Sequence, residues 1–181
     1  YAFDRIKFPG RDILFMFLLI QMMVPVQLFI IPQYLLVQKL GLLNSIPALI
    51  LPGIVTAFGT FLLRQFFMGL PDEVEEAAVI DGANRWQIFI KVMLPLAKPG
   101  MISLSIFTAL FAWKDLMWPL IVNADIEKMP LSAGLASLVG QFATNYPVLM
   151  AGSVLAIIPM IIVFVIFQKQ FVGGIALSGG K

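Results

Sequence analysis

Four apolar runs organise the chain, at about residues 13–37, 46–67, 99–121 and 148–167, and most of the polar positions gather between them. The second run, 22 residues from Ile46 to Phe67, would rise ~33 Å as an α-helix, enough to cross a bilayer. The pattern predicts an all-α polytopic membrane helical bundle, a single transmembrane domain over 1–181 with four spans. In the first run, Gln21, Gln27 and Gln33 would lie about 120° apart on a continuous helix, so that span shows no wholly apolar surface and belongs inside the bundle. In the second, Gly53, Thr56, Ala57, Thr60 and Arg64 fall on one face, small residues permitting close helix contact beside a cation. In the third, Ser105, Thr108, Ala109, Ala112 and Asp115 share an arc of about 120°, and Lys114 projects about 100° away from Asp115. Pro147 opens the fourth, in which Gly152, Ser153 and Ala156 are packing residues and Pro159 predicts a kink.

The segments between the runs differ in kind. Residues 71–95, PDEVEEAAVIDGANRWQIFIKVMLP, hold five of the ten acids, Asp72, Glu73, Glu75, Glu76 and Asp81. Pro71 opens a helix whose first turns are acidic, where the helix dipole favours negative charge, and Gly82 ends it. Asn84 is the expected N-cap of a second helix on which Trp86, Phe89, Ile90 and Met93 follow helical spacing, with Pro95 as its stop. Ala77, Ala78 and Gly82 form a small-residue patch that another backbone could approach, beside an aromatic and aliphatic stripe. That is the surface of a docking plug in water. Residues 123–146 carry Leu131, Leu135, Leu138 and Phe142 at helical spacing, an amphipathic helix at the outer interface for which packing on the bundle is favoured over contact with a solute receptor. Residues 168–181 form a tail.

Composition narrows the chemistry. With 60% hydrophobic residues, 12% charged and a mean hydropathy of +0.97, the chain is an integral membrane protein. It has neither cysteine nor histidine, which excludes disulfides, thiolate or imidazole metal sites and every Ser-His or Cys-His nucleophile. No catalytic, cofactor-binding or metal site is expected, and a net charge of +2 with scattered basic residues gives no nucleic-acid surface. The tail glycines and Lys181 do not make a phosphate-binding loop, since no Ser or Thr follows the lysine and no strand precedes it. An N-terminus that starts at Tyr1 with no signal-peptide pattern is expected to continue upstream.

The order Glu76-Ala77-Ala78, then Gly82, then Leu94-Pro95 resembles the EAA loop of ABC import permeases, the cytoplasmic segment that seats in a groove of the ATPase subunit. Val92 stands where isoleucine is usual. The flanking LLRQFFMGLP, WKDLMWPLIV and IPMIIVFVIFQKQFVGGIALSGGK extend the similarity over nearly the whole chain, toward the carbohydrate-type, maltose-transporter-like permeases. The resemblance implies alternating access driven by a separate ABC ATPase dimer. It also implies a second permease subunit, an extracytoplasmic solute-binding protein, surrounding membrane lipid, and two further spans upstream, six in all. The coupling residues it implies are Glu76, Ala77, Ala78, Asp81, Gly82, Leu94 and Pro95. In similar permeases a WNDFLWPL-like segment faces the pathway, which makes Ser105, Thr108, Trp113, Lys114, Asp115 and Arg64 the candidate pathway residues. Lys114 replaces the usual Asn, which weighs against a neutral sugar contact at that position. Arg64 has two readings, snorkelling to the cytoplasmic headgroups or an ion pair or gate within the bundle, and Asp115 likewise either lines the path or pairs with Lys114 or solvent. An importer for an amino acid, peptide or phosphorylated polyol, and more remotely an ion-driven secondary transporter, are the rival readings.

With the EAA loop inside the cell, nine of the twelve Lys and Arg (Arg5, Lys7, Arg11, Arg64, Arg85, Lys91, Lys98, Lys169, Lys181) lie at or near the cytoplasmic face, as the positive-inside rule asks. The visible N-terminus, the EAA loop and the tail are then cytoplasmic, in a multi-pass cytoplasmic-membrane protein.

Overall fold

A computed structural model describes residues 1–139 and 145–176, with side chains in the last helix as far as Gln168. The described residues are helical, with no strand among them. In chain order the helices are α1 (Ala2–Arg5), α2 (Arg11–Met23), α3 (Ile30–Lys39), α4 (Ile46–Ile50), α5 (Ala57–Met68), α6 (Asp72–Ile80), α7 (Arg85–Ile88), α8 (Leu94–Leu96), α9 (Lys98–Lys114), α10 (Met117–Val122), α11 (Leu131–Ser137) and α12 (Tyr146–Ala176). Phe142 and the tail from 177 onward lie outside the described residues, and α12 runs past Gln168.

Prolines decide where the apolar runs break. Val24, forced to an extended conformation before Pro25, ends α2, and a 3₁₀ turn, Val26–Phe29, leads into α3. Gln21 and Gln27 therefore do not share one helical wheel, and the three-glutamine argument for the first run does not hold. In the second run Leu51–Gly53 is a 3₁₀ turn around Pro52, and α5 starts afresh at Thr56, whose Oγ1 accepts from the Gly59 N–H at 3.0 Å. Gly53 thus lies before a break and off the face carried by Thr60 and Arg64. The third run breaks between Lys114 and Met117. A helix continuing through would drive the Pro119 ring into the Asp115 carbonyl four residues back. Pro119 instead sits in the first turn of α10, where its missing N–H costs nothing.

One described helix, Tyr146–Gln168, is by itself long and apolar enough to cross a membrane, with a mean hydropathy of 2.8. Three further pairs meet that test jointly, each bent at a short break: Arg11–Met23 with Val26–Lys39, Ile46–Gly53 with Ala57–Met68, and Arg85–Leu96 with Lys98–Lys114.

The chain forms two compact units, the first mainly Tyr1–Val24 with Val55–Ser105, the second Pro25–Ile54 with Ile106–Phe171. In the first, Phe67, Ile88, Met93 and Ala97 make a buried core, packed by Tyr1, Leu63, Leu70, Ala78 and Phe89. There α5 and α9 approach closely because position 100 is glycine: a Cβ at Gly100 would fall 2.5 Å from the Phe66 ring. In the second, Val37, Ala48 and Val122 form a smaller core with Tyr34, Leu42 and Trp118 around it.

Candidate functional site

The segment between α5 and α9 is built from local signals that agree with one another. Asp72, Glu73 and Glu75 occupy the first turn of α6, where the helix dipole favours them. The helix closes in a Schellman motif: the Ala83 N–H reaches the Ala78 carbonyl at 3.0 Å and the Gly82 N–H the Val79 carbonyl at 3.0 Å. That geometry needs a left-handed residue, and Gly82 supplies it with φ 80°. Among the described residues no neighbouring atom lies within 4 Å of a Cβ placed there, and the glycine serves the turn. Two residues later Asn84 starts α7 with a capping box, its Oδ1 accepting from the Gln87 N–H at 3.0 Å while Gln87 Oε1 accepts from the Asn84 N–H at 2.8 Å.

Beyond α7 the helix does not stop at Pro95, as the proline alone suggests. Phe89–Met93 is a π-turn and α8 carries on through Pro95 to Leu96. Pro95 offers no N–H to the Lys91 carbonyl, and a π-turn is one way for a helix to absorb that defect. The turn also resets the buried face. On an α-helix Met93 would point about 140° away from Ile88; across the π-turn both are buried, with Ala97 beyond them. The expected stripe is consequently split. Met93 is in the core and Phe89 half-buried, whereas Trp86 is 74% exposed and Ile90 is exposed. The small patch is split as well, with Ala77 outward and Ala78 packed against the core. Glu76, Asp81 and Pro95 are exposed and Leu94 is half-buried. Val79 and Ile80, the latter 85% exposed, join Trp86 and Ile90 among the outward apolar residues of this segment.

Sequence reasoning missed what holds the segment in place. Arg5, one of the cations expected at or near the cytoplasmic face, has a side chain only 8% exposed. Its Nε pairs with Asp4 at 2.8 Å and its Nη1 with Asp72 of α6, with Glu75 at 3.9 Å. Its Nη2 donates to the Phe67 carbonyl at 2.7 Å and the Leu70 carbonyl at 2.5 Å, where α5 ends. Tyr1 adds a hydroxyl bond to Glu75 at 3.1 Å and ring contacts to Phe67 and Phe89. Burial first, and then that bond to Glu75, raise the Tyr1 hydroxyl above its ordinary pKa. Apart from Asp4, these partners lie more than sixty residues from Arg5 and Tyr1 in sequence, and no local pattern marks them.

The candidate pathway residues divide between the two units. In the first unit, Arg64 is half-buried: its Nε donates to the Phe3 carbonyl at 3.1 Å and its guanidinium lies 4.2 Å from the Phe15 ring centre, a cation–π contact. Ser105 is exposed on α9 and bonds back to the Met101 carbonyl at 2.8 Å. In the second unit, Thr108 and Lys114 are exposed, and Lys114 forms no ion pair among the described residues. The Trp113 indole donates to the Ala156 carbonyl of α12 at 3.0 Å, near Pro159, which is inside that helix. The Asp115 carboxylate accepts from the Trp118 N–H at a long 3.4 Å and its carbonyl accepts from Ser132 Oγ at 3.0 Å, so Asp115 manages the break between α9 and α10.

Residues 3–176 match the family described as the binding-protein-dependent transport system inner membrane component. The chain belongs to this family. Among relatives of this inner membrane component is the arabinooligosaccharides transport system permease protein AraQ of Halalkalibacterium halodurans, 39% identical over the whole chain and 65% of the relative. The diacetylchitobiose uptake system permease protein NgcG of Streptomyces coelicolor is 37% identical over 97% of the chain and 60% of its own length. The sn-glycerol-3-phosphate transport system permease protein UgpE of Shigella flexneri is 34% identical over 98% of the chain and 64% of its length. The chain thus spans less than two thirds of these relatives. Among solved structures, a bacterial ABC transporter involved in the import of the acidic polysaccharide alginate superposes with a TM-score of 0.82 at 30% identity, over 94% of this inner membrane component and 65% of that chain.

Proposed function

We propose that the chain is part of the permease subunit of an ABC importer that carries a sugar or sugar derivative across the cytoplasmic membrane by alternating access. A separate ATPase dimer drives it, and a second permease subunit and an extracytoplasmic solute-binding protein work with it. The observation that carries the reading is the α6–α8 segment: a glycine-closed helix and a capped second helix, rooted by Ile88, Met93 and Ala97, that turn Val79, Ile80, Trp86 and Ile90 outward. An exposed apolar face on a rooted polar loop is a surface for a partner. Glu76, Ala77, Ala78, Asp81, Gly82, Leu94 and Pro95 are proposed to make or support that contact on the cytoplasmic side. The sugar class follows the relatives named for arabinooligosaccharides and diacetylchitobiose.

A second reading narrows the solute to an anionic sugar derivative, and Lys114 favours it. An exposed ammonium with no acid paired to it among the described residues suits a carboxylate or phosphate better than a neutral hydroxyl. Uptake of labelled neutral and acidic oligosaccharides in a strain lacking this subunit, with and without the restored gene, tests both. Restored uptake of either class supports the importer, and preference for the acidic one supports the second reading. No restoration for any sugar contradicts the sugar assignment.

A further inference from the structure

Between the last turn of α5 and the first turn of α6 there are only three residues, Gly69, Leu70 and Pro71. The link is covalent but does not by itself set the angle between the two helices. Arg5 spans it. One guanidinium reaches the Phe67 and Leu70 carbonyls on the α5 side and Asp72 and Glu75 on the α6 side. The cation meets the negative end of one helix dipole and the first-turn acids of the next, both favourable placements. The segment carrying Arg5 is itself anchored. Arg11 Nη1 donates to the Asp4 carbonyl at 3.2 Å at the start of α2, and Arg64 of α5 holds the Phe3 carbonyl while lying over Phe15 of α2. Tyr1, wedged against Phe67 and Phe89, closes the other side.

We propose that Arg5 is a positioning residue for coupling: it fixes the angle between α6 and α5, so that a displacement of α6 is delivered to α5 instead of being absorbed in the Gly69–Pro71 link. The inference rests on the coupling reading of α6–α8. It requires arginine in particular, because a planar fork with separated donors reaches carbonyls on one helix and a carboxylate on the other, whereas a lysine ammonium is a single point.

These 181 residues have no cysteine, so once any cysteine elsewhere in the full-length permease is replaced, spin labels at Gln65→Cys on α5 and Val79→Cys on α6 report one intrachain distance in nanodiscs. The native distribution is expected to be narrow. Arg5→Ala and Arg5→Lys should each broaden it at least twofold, and Asp72→Asn, which removes only the α6 arm and leaves the carbonyl contacts, should broaden it less. In the assembled, unlabelled transporter, Arg5→Ala should lower solute moved per ATP hydrolysed by tenfold or more while an Ala77→Cys cross-link to the ATPase persists. Unchanged width and unchanged coupling in Arg5→Ala, or a native width restored by Arg5→Lys, overturns the inference alone. A permease with native Arg5 whose Ala77→Cys never reaches an ATPase overturns the coupling reading, and this inference with it.

Discussion

The polar segment after α5 and the polar turn after α9 use their side chains in opposite ways. Around residues 115–128 the polar groups are mostly consumed by the fold. Asp115 serves the α9–α10 break with both its carboxylate and its carbonyl. Asn44, in the left-handed conformation with φ 56°, accepts from the Ala124 and Asp125 N–H groups and donates to Asp125 Oδ2 at 2.8 Å. Lys128 completes that carboxylate at 2.9 Å, and Asn123 donates to the Lys128 carbonyl at 2.7 Å. In residues 71–97 the side-chain bonds among the described residues are those of the caps, of Arg5 and of Tyr1, and Glu76, Asp81, Ile80 and Trp86 are left outward. A polar side chain already bonded within its own chain is spoken for, whereas an outward acid beside outward apolar residues has its interactions still to make. By that criterion the first region suits the docking role proposed for it, and the second is a structural joint.

The largest expected effect removes the root of the first region. Met93→Ala, at a fully buried site in the π-turn, should destabilise the protein by about 2–5 kcal/mol, read as a lowered thermal midpoint together with loss of ATPase co-purification. A native midpoint would mean that the outward face needs no buried root. In the second region, Asp115→Ala should cost about 1 kcal/mol through the lost bond at the start of α10. Its neighbour, Lys114→Ala, should stay within about 0.5 kcal/mol and instead reduce uptake of acidic sugars. Thermal unfolding followed by tryptophan fluorescence, beside uptake per folded molecule, separates the two. If Asp115→Ala unfolds like the native protein yet transports poorly, the carboxylate lines a path and the joint reading of it fails.

The smallest effect is a matter of pH. Hydrogen bonds from Lys128 first, then Asn44, and the charge of Lys128 hold the Asp125 carboxyl below its ordinary value. A depressed folded-state pKa means that the contribution of the ionised group is present above its unfolded value, about 3.9, and is lost as pH falls through the folded value. Carbon-13 NMR of labelled aspartate should therefore show Asp125 titrating below the ordinary range in the native chain and moving upward in Lys128→Ala. Identical titration in both would remove Lys128 from the joint.

What the sequence disclosed depended on range. Gly82, Asn84 and the acidic first turn of α6 act on neighbours within four residues, and the helix ends fall where those residues place them. Pro95 misled because a proline can be absorbed by a π-turn, whose five-residue step from Ile88 to Met93 is invisible to a search for 3.6-residue spacing. The break at Asp115 is written in Pro119, four residues on, although the apolar run resumes on the far side of it. Arg5 was beyond reach, since a guanidinium whose partners in α5, α6 and the link between them lie more than sixty residues away looks like any other membrane-flanking cation. Among the pathway candidates, Trp113 and Asp115 make internal bonds that no sequence pattern marks.

Cross-linking from both regions in intact membranes tests most directly whether the outward face of α6–α8 is where an ATPase docks. Cysteine placed at Ala77, and separately at Ile126, which is 63% exposed near the joint, gives two probes of high accessibility in a chain without native cysteine. Ala77→Cys is expected to link to an ATPase subunit, with a yield that changes when ATP closes the ATPase dimer, while Ile126→Cys gives no such product. An ATPase adduct from Ile126→Cys, or none from Ala77→Cys in membranes that still transport solute, would contradict the docking.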